Sequence, residues 1–389
     1  MRVLYAYNIH RGGNGSLNAT AATIRAVGER GTQVEVFTRD SRDLPENFRG
    51  RFKAAANTFY APEGVREFRK VLDSFKPDVV HVWDVFPLIS PWIFPLCYKR
   101  KIPVIMTCDD YFFTCPSRNH FREGKICTEC LGGREYNVLL HNCRNNIAES
   151  LTLSMYSTML RWFKLQTRYL TRLVVCSEFT RQFIAENSGV DASRIDLVPH
   201  FVDIPETAAD PGAGKYVSFG ARFVPEKGID VFLEASRICH LPFRLSRNKN
   251  FFVNVSLPPD VDIVVTSGKD DLRDFYRGAR MLVMPPIWFE TFGLVGAESM
   301  ANGIPVVGSN LGATACLIED GVDGFLFEPG NAKDLADKVS RLWNDTELCR
   351  RMGQNGRAKA MRLWNADVHV KGLLETYSRA IAEVSARTI

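Results

Sequence analysis

The sequence predicts an α/β protein made of two doubly wound domains, and three observations carry that prediction. The chain has 389 residues, more than one hydrophobic core usually supports. Short apolar runs without polar alternation recur between helix-like stretches, the pattern of a parallel sheet covered on both faces. The rhythm also stops once, over Asp203 to Gly214, where two prolines and small residues read as a linker, and then restarts.

The elements follow in order. Val3–Tyr7 is a short strand, Arg11 to Gly15 a glycine-rich turn, Leu17–Glu29 a helix and Gln33–Phe37 the next strand, so the chain opens with a βαβ unit. Val65–Phe75 reads as a helix, Asp78–Val82 as a buried strand, Pro87–Tyr98 as an apolar helix and Val104–Thr107 as a strand. Leu173–Cys176 and Ile195–Val198 complete the first half. Beyond the linker come the strand Tyr216–Phe219, the helix Gly228–Arg237 and the strands Asp262–Val265 and Met281–Met284. A helix after Glu290, the strand Pro305–Val307 and helices to the end follow. The expected domains are 1–203, with a cysteine-containing insert over 112–145, and 214–365. A terminal helix over 366–389 is expected to cross back to the first domain.

Composition narrows the class. Hydrophobic residues make up 46% and charged residues 24%, which excludes long disorder. A net charge of +5 is too mild and too scattered for a nucleic-acid binder. It fits phosphorylated substrates or an anionic membrane surface. The first residues run straight into a strand without a signal-peptide core, and no apolar stretch reaches the roughly 20 residues of a membrane span. A cytoplasmic protein with reduced thiols is expected, so the ten cysteines are not a disulfide framework by default.

The richest segment is Pro286 to Pro305. A strand ends at Met284, a loop carries Glu290, and a helix starts near Gly293 and stops at Gly303. A helix N-terminus at a strand's carboxyl end offers backbone N–H groups to an anion such as a diphosphate. Glycines at 293 and 296 let a ligand approach the backbone. Glu290 and Glu298, one on each side, can grip hydroxyls of a sugar and a ribose. Taken singly, two glutamates eight apart describe a capped, solvated helix; the whole string is more specific.

That string, from Pro286 through Glu290-Thr291-Phe292-Gly293-Leu294-Val295 and Glu298-Ser299-Met300-Ala301 to Pro305-Val306-Val307, resembles the signature of the retaining GT-B glycosyltransferases of family four. Other segments match in the family's order: Gly12-Gly13-Asn14-Gly15, Lys76 to His81, Ser177 to Thr180, Val198 to Asp203, Gly220 to Gly228 and Gly321 to Gly330. The resemblance implies two Rossmann-like domains facing across a cleft, the second holding the donor. It implies transfer of a sugar from a nucleoside-diphosphate sugar to a glycan or lipid-linked glycan, with retention and without a metal, in polysaccharide assembly. Glu290 would contact the donor sugar and Glu298 the ribose. Arg222 and Lys227 would neutralise the departing diphosphate, and the backbone of Thr291, Phe292, Gly293 and Leu294 would face the donor. Gly13, Asn14 and Gly15 would lie near the phosphates. Asp260-Val261-Asp262 enters a strand instead of leaving one and is not read as a metal site. A noncatalytic sugar-nucleotide or glycan-binding protein and a dinucleotide-dependent oxidoreductase are the alternative classes. The glycine turn lacks the full dinucleotide spacing.

The chain also departs from the family. Asp109 stands where the family has histidine, yet remains in the expected catalytic set. Cys316 stands where glutamate is usual. Arg244 to Asn250 replaces a Gly-Asp-Gly-Pro turn, and the domain looks shortened there. An unusual donor or weakened activity would follow.

Two further features stand apart. Cys115, Cys127, Cys130 and Cys143 lie in the insert, and the Cys127-x-x-Cys130 spacing suits a structural zinc site, reduced thiols or a disulfide. Leu151–Leu170 mixes aromatic and basic residues. It reads either as an amphipathic helix packed on the first sheet or as an interfacial helix at a membrane. His81, in a buried strand, reads as a core residue.

Overall fold

The structure is a computed structural model. It describes all residues except 11–14, 46, 249–256 and 388–389, and only the backbone of 15, 16, 48, 49, 51, 248 and 269. The chain divides into two compact units. One comprises Met1–His120, Cys127–Val198 and His369–Ile389; the other comprises Phe121–Ile126 and Pro199–Val368.

Fourteen strands are present among the described residues: β1 (Arg2–Ile9), β2 (Gln33–Asp40), β3 (Val79–Asp84), β4 (Val104–Cys108), β5 (Phe121–Arg122), β6 (Lys125–Ile126), β7 (Arg172–Val175), β8 (Ile195–Leu197), β9 (Tyr216–Phe219), β10 (Phe243–Asn248), β11 (Val261–Thr266), β12 (Ala279–Met284), β13 (Val306–Ser309) and β14 (Gly324–Phe327). The first unit holds a six-stranded parallel sheet in the order β2-β1-β3-β4-β7-β8. The second holds another in the order β11-β10-β9-β12-β13-β14. Strand order reverses between β1 and β3 in the first and between β9 and β12 in the second. At such a switch point the loops after the two strands diverge and leave a crevice at their carboxyl ends. The doubly wound expectation is thus borne out.

Burial explains the strands. Val79, Val80 and Val82 of β3 are fully buried, as are Val104 and Ile105 of β4. Leu4, Ala6, Val80 and Val82 pack with Phe68, Leu72 and Phe94 in the first core. In the second, Val217, Phe219, Met281, Val283 and Val307 pack with Phe232 and Leu335. The first unit also carries a buried polar chain. His81 pairs through Nδ1 with the Tyr377 hydroxyl at 2.6 Å and through Nε2 with Thr107 Oγ1 at 2.8 Å. Tyr377 in turn meets the Tyr5 hydroxyl at 2.9 Å. Burial, then the nearby His369, holds His81 down at a pKa of about 3, so it is a neutral core residue. Tyr377 belongs to the helix Ala366–Ala386, whose Arg379 also reaches Asp196 at 2.8 Å.

Four local expectations need correction. The apolar helix expected over Pro87–Tyr98 is confined to Ile93–Lys99. Pro91 disfavours a helical residue before it, and Ser90 sits at φ 84°. Phe48–Phe59, without a clear apolar period, is a helix the sequence reading missed. The stretch from Arg244, read as a replaced turn, is mostly strand β10, paired with β9 and β11. Part of the segment read as the last loop is β14, the edge strand beside β13.

Candidate functional site

In the second unit, the loops after β9 and β12 flank the switch point. Lys227 ends the first loop and Glu290 lies in the other. Lys227 Nζ donates to Glu290 Oε2 at 2.7 Å, both side chains being largely buried. Trp288 Nε1 donates to the same oxygen at 3.1 Å, and the Lys227 ammonium lies 4.7 Å from the Trp288 ring centre. The carboxylate is therefore oriented by two donors, and the ammonium by a charge and an aromatic face.

Glycine holds this geometry at two points. Gly228 has φ 72°, and a Cβ there would stand 1.8 Å from the Pro285 carbonyl oxygen. The Ile287 N–H also donates to the Glu226 oxygen at 3.0 Å, so the two loops are laced together. Gly312, at φ 59°, lets the helix Gly312–Leu317 approach the backbone of Phe289 and Glu290, and Ala313 N–H donates to the Glu290 carbonyl at 3.0 Å. The segment that departs from the family at exposed Cys316 thus supports Glu290 through its backbone.

Glu298 lies in the helix Leu294–Ala301, where Asn302 Nδ2 donates to its carbonyl. The Tyr276 hydroxyl donates to Glu298 Oε2 at 3.1 Å, and burial followed by the Glu298 charge raises the tyrosine's pKa well above its ordinary value. Gly293 caps the helix at φ 93°. Gly296 lies against a neighbouring side chain: a Cβ there would meet Leu317 Cδ2 at 2.5 Å. Phe292 is buried, with ring contacts to His200 and Trp364, while Thr291 and Leu294 are half-buried and Arg222 is exposed. Gly13 and Asn14 lie outside the described residues, and Gly15 opens the helix Gly15–Glu29. Trp288 and Tyr276 escaped the sequence reading, although Trp288 stands only two residues from Glu290.

The first unit has a second constellation that sequence reasoning missed. His10, just after β1, pairs through Nε2 with Asp84 Oδ2 at 2.8 Å. Asp84 ends β3, so the pair straddles the switch point of this sheet. Arg118 donates to Asp84 at 3.0 and 3.4 Å and to Asp110 Oδ2 at 3.2 Å. The Phe86 and Phe112 N–H groups fix the two carboxylates, each at 2.9 Å. Arg118 itself is held at φ 72°, a costly conformation for a side-chain-bearing residue. Burial pushes Asp84 up, but the Arg118 charge and the bonds from His10 and Arg118 outweigh it and hold Asp84 well below the usual carboxylate range. Asp110 shifts upward: burial and the Asp84 charge together outweigh Arg118. Buried Asn8 donates to the Asp84 carbonyl at 3.4 Å, and its Oδ1 is buried without a hydrogen-bond partner.

Asp109 is half-buried after β4. Its charge adds to burial in raising the thiols of Cys108 and Cys176. The four insert cysteines are free thiols and near one another. Burial, then the charges of Cys115, Cys143 and Cys127, pushes Cys130 up to about 12. Among the described residues no group of three or more His, Cys, Asp or Glu is placed to hold a metal ion, so the zinc site suggested by the spacing is unsupported.

Comparison with known proteins decides the family. A family model described as Glycosyltransferase Family 4 matches residues 13–206, and one described as Glycosyl transferases group 1 matches residues 203–359. The chain belongs to the family-four, group 1 glycosyltransferases. An uncharacterised glycosyltransferase of Methanocaldococcus jannaschii is 28% identical over 203 residues, covering 50% of this chain and 56% of the relative. The chain spans about half the length of the curated relatives it matches. Sucrose-phosphate synthase from Thermosynechococcus elongatus superimposes with a TM-score of 0.73 at 18% identity, over 98% of this chain and 100% of that one. HepE of Anabaena, solved in complex with UDP-glucose, gives 0.67 at 16% identity, over 97% and 100%. These likenesses establish a GT-B glycosyltransferase fold.

Proposed function

We propose that this family-four glycosyltransferase moves a sugar from a nucleoside-diphosphate sugar to a hydroxyl of a glycan or lipid-linked glycan, with retention and without a metal. The Lys227–Glu290 pair, on the loops after β9 and β12, is the observation that carries the reading. Glu290 holds the donor sugar's hydroxyls, and Glu298, braced by Tyr276, holds the ribose. Departure of the nucleoside diphosphate builds negative charge, and fixed cations stabilise that charge most in the transition state. Lys227 and Arg222 supply them. UDP is the first nucleotide to try, since HepE was solved with UDP-glucose.

The second unit takes the donor and the first the acceptor. In the first, the His10–Asp84 pair gives an acceptor hydroxyl a hydrogen-bonding partner whose tautomer a carboxylate fixes, and Arg118 keeps that carboxylate ionised. Asp109 stands close by in sequence, on the same strand end as Asp110. An acceptor carried on a lipid is met at a membrane face in the cytoplasm.

The test is a panel of UDP-, GDP- and dTDP-sugars, read by nucleotide release and by protection against thermal unfolding. Turnover with one donor, lost in Glu290→Ala with folding kept, is expected. Protection without turnover on any donor would turn the reading into a noncatalytic sugar-nucleotide binder.

A further inference from the structure

The helix Ile147–Trp162 in the first unit distributes its side chains in an unusual way. Its buried positions include Ser150 and Ser154 beside Tyr156 and Leu160. Ile147, Leu151, Met155 and Trp162, spaced four, four and seven apart, share one helix face, and all four are exposed. Trp162 is 72% exposed and Ile147 67%. Phe163, which caps the helix, is also exposed, and Leu140 of the neighbouring short helix is 69% exposed. An apolar stripe some 22 Å long, facing outward, is a surface made for a partner.

The charges around it say which partner. Residues 134–168 hold two acids, and each is occupied: Glu135 by Arg161 at 2.6 Å and Glu149 by Arg144 at 3.6 Å. Arg134, Lys164 and Arg168 are exposed and make no ion pair among the described residues. A protein partner would need a matching apolar groove with its own acids. An anionic bilayer offers both halves at once: headgroup charge for the basic side chains and an acyl boundary for Leu151, Met155 and Trp162, with the indole at the headgroup level.

We propose that this face docks the protein on an anionic lipid surface. The docking deepens the lipid-linked reading of the acceptor, but it involves none of the donor-site residues and is tested without any acceptor. The helix also packs on the first core through Tyr156 and Leu160, so both readings of the sequence apply to its two faces.

The experiment is co-sedimentation of the full chain with phosphatidylglycerol-containing vesicles and with pure phosphatidylcholine. Binding to the first, falling with salt, is expected. Each unpaired basic side chain near the surface contributes roughly fivefold, so Lys164→Glu with Arg168→Glu should weaken binding at least about thirtyfold. Leu151→Ser with Met155→Ser and Trp162→Ser should abolish it. Protection of every variant by UDP reports the donor site separately and should match the parent. If the parent ignores anionic vesicles, or both sets of variants bind like it, the proposal is wrong. A dimer by light scattering that the serine variants dissociate, without vesicle binding, would assign the face to a second copy instead.

Discussion

Each of the two sheets sets a cation and a carboxylate at its own switch point, but they assemble them differently. In the second unit, Lys227 and Glu290 come from two loops that each sit inside a compact motif, one strand end and one turn apiece. In the first, His10, Asp84, Asp110 and Arg118 come from four separate places in the chain. The second site is two-point and held by glycine. The first is a relay in which one strained arginine braces two carboxylates, one pushed down and one pushed up. Residues that each sit inside a compact strand–turn segment advertise themselves in sequence. A site built by bringing four segments together is visible only after the topology is known.

The largest expected effect tests the compact site. Lys227→Ala removes a fixed cation and should lower turnover by roughly a hundred- to a thousandfold. The thermal midpoint should also fall, because Glu290 keeps the Trp288 N–H but loses its cation, so turnover is compared at a temperature where both proteins are folded. Lys227→Arg should recover part of the loss. Near-normal turnover in Lys227→Ala would leave the second switch point as a structural ion pair and dissolve the comparison.

The same contrast explains what could be read from residues alone. The parallel sheets followed from apolar runs such as Val79–Val82, because burial on both faces leaves no alternation. Glu290 and Glu298 were legible because one strand–turn–helix segment fixes their spacing, and Lys227 because the Gly220–Gly228 loop resembles the family's. Arg118 was not: nothing in Ser117-Arg118-Asn119 signals a left-handed arginine that reaches back to β3. At Gly296 sequence reports that a side chain is missing but not which neighbour, here Leu317, lies beside it. Strand β10 was obscured by its charged residues, Arg244 and Arg247, although Phe243 and Leu245 are buried.

The brace gives the next effect. Arg118→Met leaves Asp84 and Asp110 facing each other without their cation and should cost about 2 kcal/mol in urea unfolding near neutral pH, short of a fully buried pair because all three side chains are partly exposed. His10 remains to Asp84, so the protein should still fold. A loss below a few tenths of a kcal/mol would make the cluster a solvated ion-pair network, unlike the site in the second unit.

His81 supplies a pH-dependent effect that belongs to the first unit alone. Its folded pKa is depressed to about 3, so the unfolded chain binds the extra proton first. Stability is full above the ordinary histidine value of 6.5 and falls as pH drops toward 3. The slope approaches about 1.4 kcal/mol per pH unit, or roughly 2 kcal/mol by pH 5. His81→Gln should flatten that part of the curve, while a Tyr377→Phe variant should keep it. An unchanged slope in His81→Gln would assign the dependence to other groups.

The smallest effect is the most diagnostic for the relay. Asp110 has a raised folded pKa, so its ionised form is penalised in the folded protein above that pKa, and the penalty vanishes below the ordinary carboxylate value of 3.8. Asp84 has the opposite sign: its contribution is present above 3.8 and lost as pH falls below it. Asp110→Asn keeps an oxygen for the Phe112 N–H and removes the charge that opposes Asp84. It should therefore stabilise the protein at pH 7, by less than about 1 kcal/mol. The gain should disappear as pH falls through the carboxylate range, whereas Asp84→Asn should be destabilising at pH 7 and converge on the parent in acid. Unfolding midpoints of the two variants across that range would show lines of opposite slope. If Asp110→Asn destabilises at pH 7 as Asp84→Asn does, Arg118 needs both charges, and the first switch point is a symmetric clamp and not a relay with Asp84 at its centre.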